Sequence, residues 1–301
     1  MKIDKIYIAC SKKDFYFTKI CIASIRYWCG YTIPIELIID HTWGDINTEK
    51  IIKYWNIGIY KNGQKLCFGP FGKIEVLLQD SNTRVLVLDS DIVLLGDLIT
   101  ELEKYDENFI AHRFIKNSSD NEISAWWFQL NELSEIDADF SYPGFVFNSG
   151  HFVANSNIFR PSDFADHYDY TDNLISQYRP DVLKCEDQGI LNYMVLKRIQ
   201  ENKISFKHLD FMISRYDYEK LIQIRLSDIV DKIDNKNLIH YLGPKHGFIS
   251  FLPRAEILRF YEAYYYRKNS ESLLKLYIDR FIRTAIHVLS FVKELIKSFI
   301  R

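Results

Sequence analysis

Apolar positions along the chain follow two periods, and the alternation between them sketches the architecture. Residues 3–10 (IDKIYIAC) are apolar and β-branched and predict a first strand. Residues 15–29 (FYFTKICIASIRYWC) carry apolar side chains at helical spacing, with Gly30 as the stop. Residues 34–39 (PIELII) predict a second strand ending at Asp40, residues 45–55 a short helix, and residues 71–79 (FGKIEVLLQ) another. The run Arg84–Leu88 is apolar after its first residue and too short for a helix of its own, so it predicts a strand buried on both faces. Residues 105–142 are polar and irregular, with Trp126 and Trp127 adjacent, and predict an excursion or lid rather than sheet core. A strand over 144–154 (GFVFNSGHFVA) and helical stretches around 186–200 follow, and 237–249 (NLIHYLGPKHGFI) close the domain. No internal repeat is present. Strands alternating with helices imply βαβ units in a largely parallel sheet flanked by helices.

From about residue 254 the character changes, which divides the chain into a domain over 1–253 and a helical region over 254–301. In residues 271–301, Leu274, Ile278, Phe281, Ala285, Leu289, Val292, Ile296 and Phe299 recur at three- and four-residue intervals, with Lys275, Arg283, His287 and Lys297 between them. This is a basic amphipathic helix without a spanning core, suited to an anionic membrane surface. The other reading is a helix packed on its own domain or on a second copy.

Length and charge narrow the picture. At 301 residues the chain accommodates one large α/β domain with an appendage. A formal net charge of −2 gives no bulk attraction for nucleic acid, so none is expected as a partner. The cysteines, Cys10, Cys21, Cys29, Cys67 and Cys185, are odd in number and form no CxxC pair, which predicts reduced, buried thiols. The start, MKIDKIYIAC, lacks the apolar core of a signal peptide, and no stretch reaches about 18 uncharged apolar residues. A cytosolic location is expected.

Candidate chemistry centres on Asp89-Ser90-Asp91, directly after a buried strand. Ligands of open α/β sheets bind at the carboxyl ends of strands. In an extended segment the side chains at i and i+2 point the same way, and two carboxylates pushed together repel unless a cation lies between them. A hard divalent cation answers that repulsion. Taken alone the triplet is also compatible with a turn or cap, and Asp97 in LLGDLITEL is read as a helix N-cap. Several other residues have two readings. His240 after an apolar run is by itself a structural histidine, Lys73 a surface lysine, Glu186-Asp187-Gln188 a solvated helix start, and Asn148 with Gly150 a strand end with a close-packing glycine.

Four blocks in order lend these residues a second meaning. VLVLDSDIVLLGDLITEL resembles the metal-binding segment of the GT-A fold family 8 glycosyltransferases, the group that includes glycogenin and bacterial lipopolysaccharide galactosyl- and glucosyltransferases. FNSGHFVANSNIFR (147–160) is similar to that family's FNxG strand, EDQGILNY (186–193) to its DQ helix, and HYLGPKHG (240–247) to its HxxGxxK loop. The resemblance implies a GT-A, Rossmann-like fold. It further implies Asp89, Asp91 and His240 as metal ligands, and an imidazole beside two carboxylates favours Mn²⁺ over Mg²⁺, which stays possible. Asn148 and Gly150 would contact the donor sugar. Asp187 and Gln188 would act at the reacting carbon, Asp187 either as a nucleophile or in positioning. Lys73 would reach the donor, and Gly243 and Lys245 would hold its diphosphate. The loop departs from the family pattern: Lys245 falls five residues after His240 instead of six, and His246-Gly247 replaces Pro-Trp. Ala9 and Cys10 would line the nucleoside pocket, with Asp14 or Asp40 reading the base.

The implied activity is transfer of a hexose, glucose or galactose, from a UDP-sugar to a glycan or lipid-linked acceptor with retained configuration. It would serve bacterial surface polysaccharide or lipopolysaccharide synthesis on the inner face of the cell membrane. Two competing functions remain at this point. LDSDIVLL also fits the opening of a HAD-type phosphatase with Asp89 as nucleophile, although some 80 residues precede it. The third is a sugar-binding module of the same fold that has lost turnover.

Overall fold

The computed structural model describes residues 1–61, 71–114, 120–171, 174–243, 249–269 and 273–300. Its strands are β1 (Lys5–Ser11), β2 (Ile35–Asp40), β3 (Ile57–Ile59), β4 (Arg84–Asp89), β5 (Ile92–Leu94), β6 (Phe109–Phe114), β7 (Val146–Asn155), β8 (Tyr168–Thr171), β9 (Leu174–Gln177), β10 (Phe206–His208), β11 (Met212–Ser214) and β12 (Leu238–His240). The helices are α1 (Phe15–Cys29), α2 (Glu49–Trp55), α3 (Gly72–Glu75), α4 (Leu98–Leu102), α5 (Asp120–Trp126), α6 (Leu130–Ile136), α7 (Asp187–Gln200), α8 (Tyr218–Leu221), α9 (Leu226–Val230), α10 (Ala255–Lys268) and α11 (Leu273–Ile300).

Seven strands form the central sheet in the order β10-β6-β7-β4-β1-β2-β3. β3, β2, β1 and β4 run parallel, and β7 is antiparallel to both β4 and β6. The expected mixed, mostly parallel sheet is therefore observed. Alternate residues of the two central strands feed opposite cores: Ile6, Ile8, Leu86 and Leu88 pack on one side, Tyr7, Val85 and Val87 on the other. That is why β1 and β4 read as continuous apolar runs. A three-stranded sheet, β11-β12-β5, branches off where the chain leaves β4.

The expectation of an excursion over 105–142 is corrected in part. β6 lies inside the central sheet between β7 and β10. Its sequence, FIAHRF, has three apolar residues and then His112-Arg113, and its pairing with β7 shifts register between Ala111 and Arg113. The period-2 signal is broken by that irregularity, and partners distant in sequence supply the strand's identity. The rest of the segment carries α5 and α6.

β7 is buried at all ten positions. α7 is tied to it by Asn192, whose side-chain amide accepts from Phe147 N–H at 2.8 Å and donates to Phe147 carbonyl at 2.9 Å. The Trp127 indole N–H donates to the same carbonyl at 3.0 Å. These bonds hold α5's end and α7's start against one strand.

α10 packs on α1 inside the first core, with Ile257, Leu258, Tyr261 and Tyr265 buried. Trp28 indole N–H donates to Tyr261 hydroxyl at 2.7 Å, which in turn donates to Leu94 carbonyl at 2.9 Å. Among the described residues, no helix is long and apolar enough to cross a membrane.

Candidate active site

Asp89 ends β4, in register with Ala9 of β1. The chain turns at Ser90 and enters the small sheet as β5, so Asp89 and Asp91 stand at the carboxyl end of the central strands, where two sheets part. His240 ends β12 opposite Ile92, and Tyr241 N–H donates to Asp91 carbonyl at 3.0 Å. His240 Nε2 consequently lies 3.2 Å from Asp91 Oδ1 and 3.7 Å from Asp89 Oδ2. One ligand atom from each residue falls within 4.8 Å of the others. Asp91 and His240 are each only 2% exposed. A mixed carboxylate–imidazole set of this closeness fits a divalent cation.

Lys73 is the counter-charge already present. It is no surface lysine: it is 4% exposed, with Nζ 3.0 Å from Asp89 Oδ1, 2.6 Å from Asp187 Oδ2 and donating to Ser149 carbonyl at 3.1 Å. Burial pulls an ammonium down, but Asp187 and Asp89 outweigh it and hold Lys73 above its ordinary value. Burial pushes the Asp187 carboxyl up, Lys73 opposes, and Asp89 adds. The two Asp89 oxygens are thereby divided, Oδ1 facing the ammonium and Oδ2 facing His240.

Gly150 makes this convergence sterically possible. A Cβ there would stand 2.4 Å from His240 Cε1 and 2.7 Å from both Asn148 Oδ1 and Asp89 Oδ2. Gly150 N–H donates to Asn148 Oδ1 at 2.8 Å, Asn148 Nδ2 to Gln188 Oε1 at 3.4 Å, and Gln188 Nε2 to Trp126 carbonyl at 3.0 Å. One line of polar contacts therefore runs from Gly150, beside Asp89, to the end of α5. Asp187 and Gln188 open α7 after Cys185 and Glu186, two successive non-glycine residues with positive φ (51° and 53°). Such conformations cost about 1–3 kcal/mol each and concentrate at functional sites.

These groups face a cavity of about 550 Å³. Lys73, Asp89, Asn148, Asp187, Gln188 and His240 line it. Glu122, Trp126, Trp127, Tyr216, Leu242 and Gly243 are among the other residues that line it. Gly243 has φ +93°, and a Cβ there would stand 2.9 Å from Arg215 Nη2. Lys245 lies outside the described residues, as do His246 and Gly247. Ala9 is half-buried beside Asp89, and Cys10 is buried with Ile39 as its register partner. Asp14 Oδ1 accepts from Ser11 N–H at 2.6 Å, and Asp40 Oδ1 accepts from Thr42 N–H at 2.9 Å, so both carboxylates cap local turns.

A family model described as glycosyl transferase family 8 matches residues 73–246, more than half of the chain. The chain belongs to glycosyl transferase family 8. The phosphatase reading of Asp89 falls with that membership. Among solved structures, the apo form of WbbM, a bifunctional glycosyltransferase, aligns with TM-score 0.52 and 12% identity over 89% of this chain and 52% of its own. That likeness is one of fold, the GT-A fold. The glycosyltransferase GlyE of Streptococcus pneumoniae TIGR4 gives 0.49 and 17% over 85% and 60%, and the galactosyltransferase LgtC 0.46 and 16% over 87% and 95%. The chain thus spans little more than half the length of the first of these structures. No curated protein sequence matches it.

Sequence reasoning missed Ser149, Trp126, Glu122, Arg215 and Tyr216 at this site. The adjacent tryptophans were a visible signal, assigned to a lid. A lone Arg-Tyr pair in the turn after a short strand carries none.

Proposed function

We propose that this family 8 member transfers a hexosyl group, glucose or galactose, from a UDP-sugar to a glycan or lipid-linked acceptor, with retention and in the presence of a divalent cation. The observation that carries the reading is the convergence of Asp89, Asp91 and His240 beside a cavity that Asp89, His240, Asp187 and Gln188 all line. The bond broken joins the sugar's anomeric carbon to the diphosphate, and the bond formed joins that carbon to an acceptor hydroxyl, whose proton leaves with the UDP. A cation held by the two aspartates and His240 would offset charge on the departing diphosphate. The amide line Asn148–Gln188 orients the sugar. Asp187, bound to a buried ammonium, serves as a positioning group that holds Lys73 in place. Lys245 and the Gly243 backbone would meet the diphosphate from the loop after His240.

Incubation with Mn²⁺ and a panel of nucleotide sugars, scored for UDP and inorganic phosphate, tests this. UDP release that Asp91→Asn lowers at least about a hundredfold is expected. Nucleotide binding without turnover in the unaltered protein would instead mark a silent module.

For residues 271–301 we propose peripheral attachment at the inner face of the cell membrane, in bacterial surface polysaccharide or lipopolysaccharide synthesis. The support is the orientation of α11. Leu274, Tyr277, Ile278, Phe281 and Leu289 are exposed, Phe281 by 73%, while Arg280 and Arg283 turn inward onto Glu262 of α10. The apolar stripe, rather than these arginines, would enter the interface.

A further inference from the structure

The cavity is also lined by an exposed tryptophan and a glutamate that none of the donor chemistry uses. Trp126 ends α5 with 56% of its surface exposed, although it lines the cavity, while its neighbour Trp127 is 2% exposed. The two rings divide the work. Trp127 is pinned by its indole N–H to Phe147 carbonyl, and its own carbonyl accepts from Lys184 N–H at 2.7 Å just before α7. Trp126's carbonyl accepts from Gln188 Nε2, so its backbone is fixed to the residue placed at the reacting sugar. The indole itself projects from a rigid mount. Glu122, four residues earlier on α5, lines the same cavity, because positions i and i+4 share a helix face. A flat apolar ring beside a carboxylate matches a pyranose, whose axial C–H face packs on the indole and whose hydroxyls donate to the carboxylate.

We infer that Trp126 and Glu122 form the subsite for the acceptor's terminal sugar, and that this sugar is neutral, since Glu122 repels a uronate or other anionic pyranose. The inference rests on the glycosyltransferase reading and adds the acceptor's class to it. The Gln188 contact uses Trp126's backbone, so replacing the ring leaves the donor side of the cavity in place.

The test uses the full chain with Mn²⁺ and UDP. Methyl β-galactoside and methyl β-glucoside are the neutral probes and methyl β-glucuronide the anionic one. Affinities come from saturation-transfer NMR, and UDP affinity from calorimetry. Trp126→Ala is expected to weaken the neutral probes about tenfold, Trp126→Phe to keep most of the affinity, and UDP binding to stay unchanged in both. Glu122→Gln is expected to improve glucuronide binding relative to the neutral probes. Neutral probes that bind Trp126→Ala as they bind the unaltered protein, or do not bind the unaltered protein while UDP does, overturn the subsite. A loss of UDP affinity in Trp126→Ala overturns it too, by moving the ring to the donor side. Absence of UDP binding in the unaltered protein strikes at the glycosyltransferase reading instead.

Discussion

Gly150 is the position where a single methyl group decides whether the acidic pair and His240 can meet. The Cβ of Gly150→Ala would enter the 2.4–2.7 Å shell occupied by His240, Asn148 and Asp89. None of the three can retreat freely, because β7, β4 and β12 are all core strands. Overpacking of this kind costs about 1–3 kcal/mol. Calorimetric titration with Mn²⁺ is expected to show at least about a tenfold weaker affinity in Gly150→Ala, with a cooperative melt retained. An unchanged affinity would show that the three groups do not share a cation. At this scale the sequence showed which residue types were present, and the four ordered blocks grouped them. It did not show that Lys73 is buried between Asp89 and Asp187, because a lysine in FGKIEVL has the same local context on a surface as in a core.

Elements were legible where their own periodicity was sufficient. α1 runs over Phe15–Cys29, the span its spacing predicts, and Asp97 caps α4 by accepting from Thr100 N–H at 3.2 Å. β6 was not legible, since its strand character comes from β7 and β10. α11 shows a subtler gap: its amphipathicity was plain, but not which face turns inward. Burial of Glu262, 2% exposed, settles that by drawing in Arg280 (Nε at 2.7 Å) and Arg283 (Nη2 at 3.3 Å). Replacing Arg280 and Arg283 together by Met is expected to cost about 3–5 kcal/mol in urea melts, because α11 then still covers the Glu262 carboxylate without its partners. Glu262→Gln in that variant is expected to recover most of the loss. A double variant as stable as the unaltered protein would mean that α11 does not dock this way.

At the scale of the whole molecule, the two cores on either side of β1 and β4 bury imidazoles as well as apolar side chains. Burial lowers His112 to about 4, with Asp210 opposing and His208 and Lys220 adding, and it lowers the fully buried His151 as well. A histidine with a depressed folded pKa contributes stability that is complete above its ordinary value of 6.5 and is lost as pH falls towards 4. The melting temperature is therefore expected to fall between pH 7 and pH 4.5, and His112→Gln to flatten that fall; parallel curves would show that His112 is not the titrating group. The sequence by itself determined the mostly parallel sheet, its central strands and the family, because local periodicity and motif order are written in neighbouring residues. Tertiary structure alone decided how Lys73 is paired, where β6 lies, which of the two cavity-lining tryptophans stays exposed and which side of α11 meets the protein. Each of those depends on charges and backbone groups brought together from distant parts of the chain, where burial rather than local propensity sets the outcome.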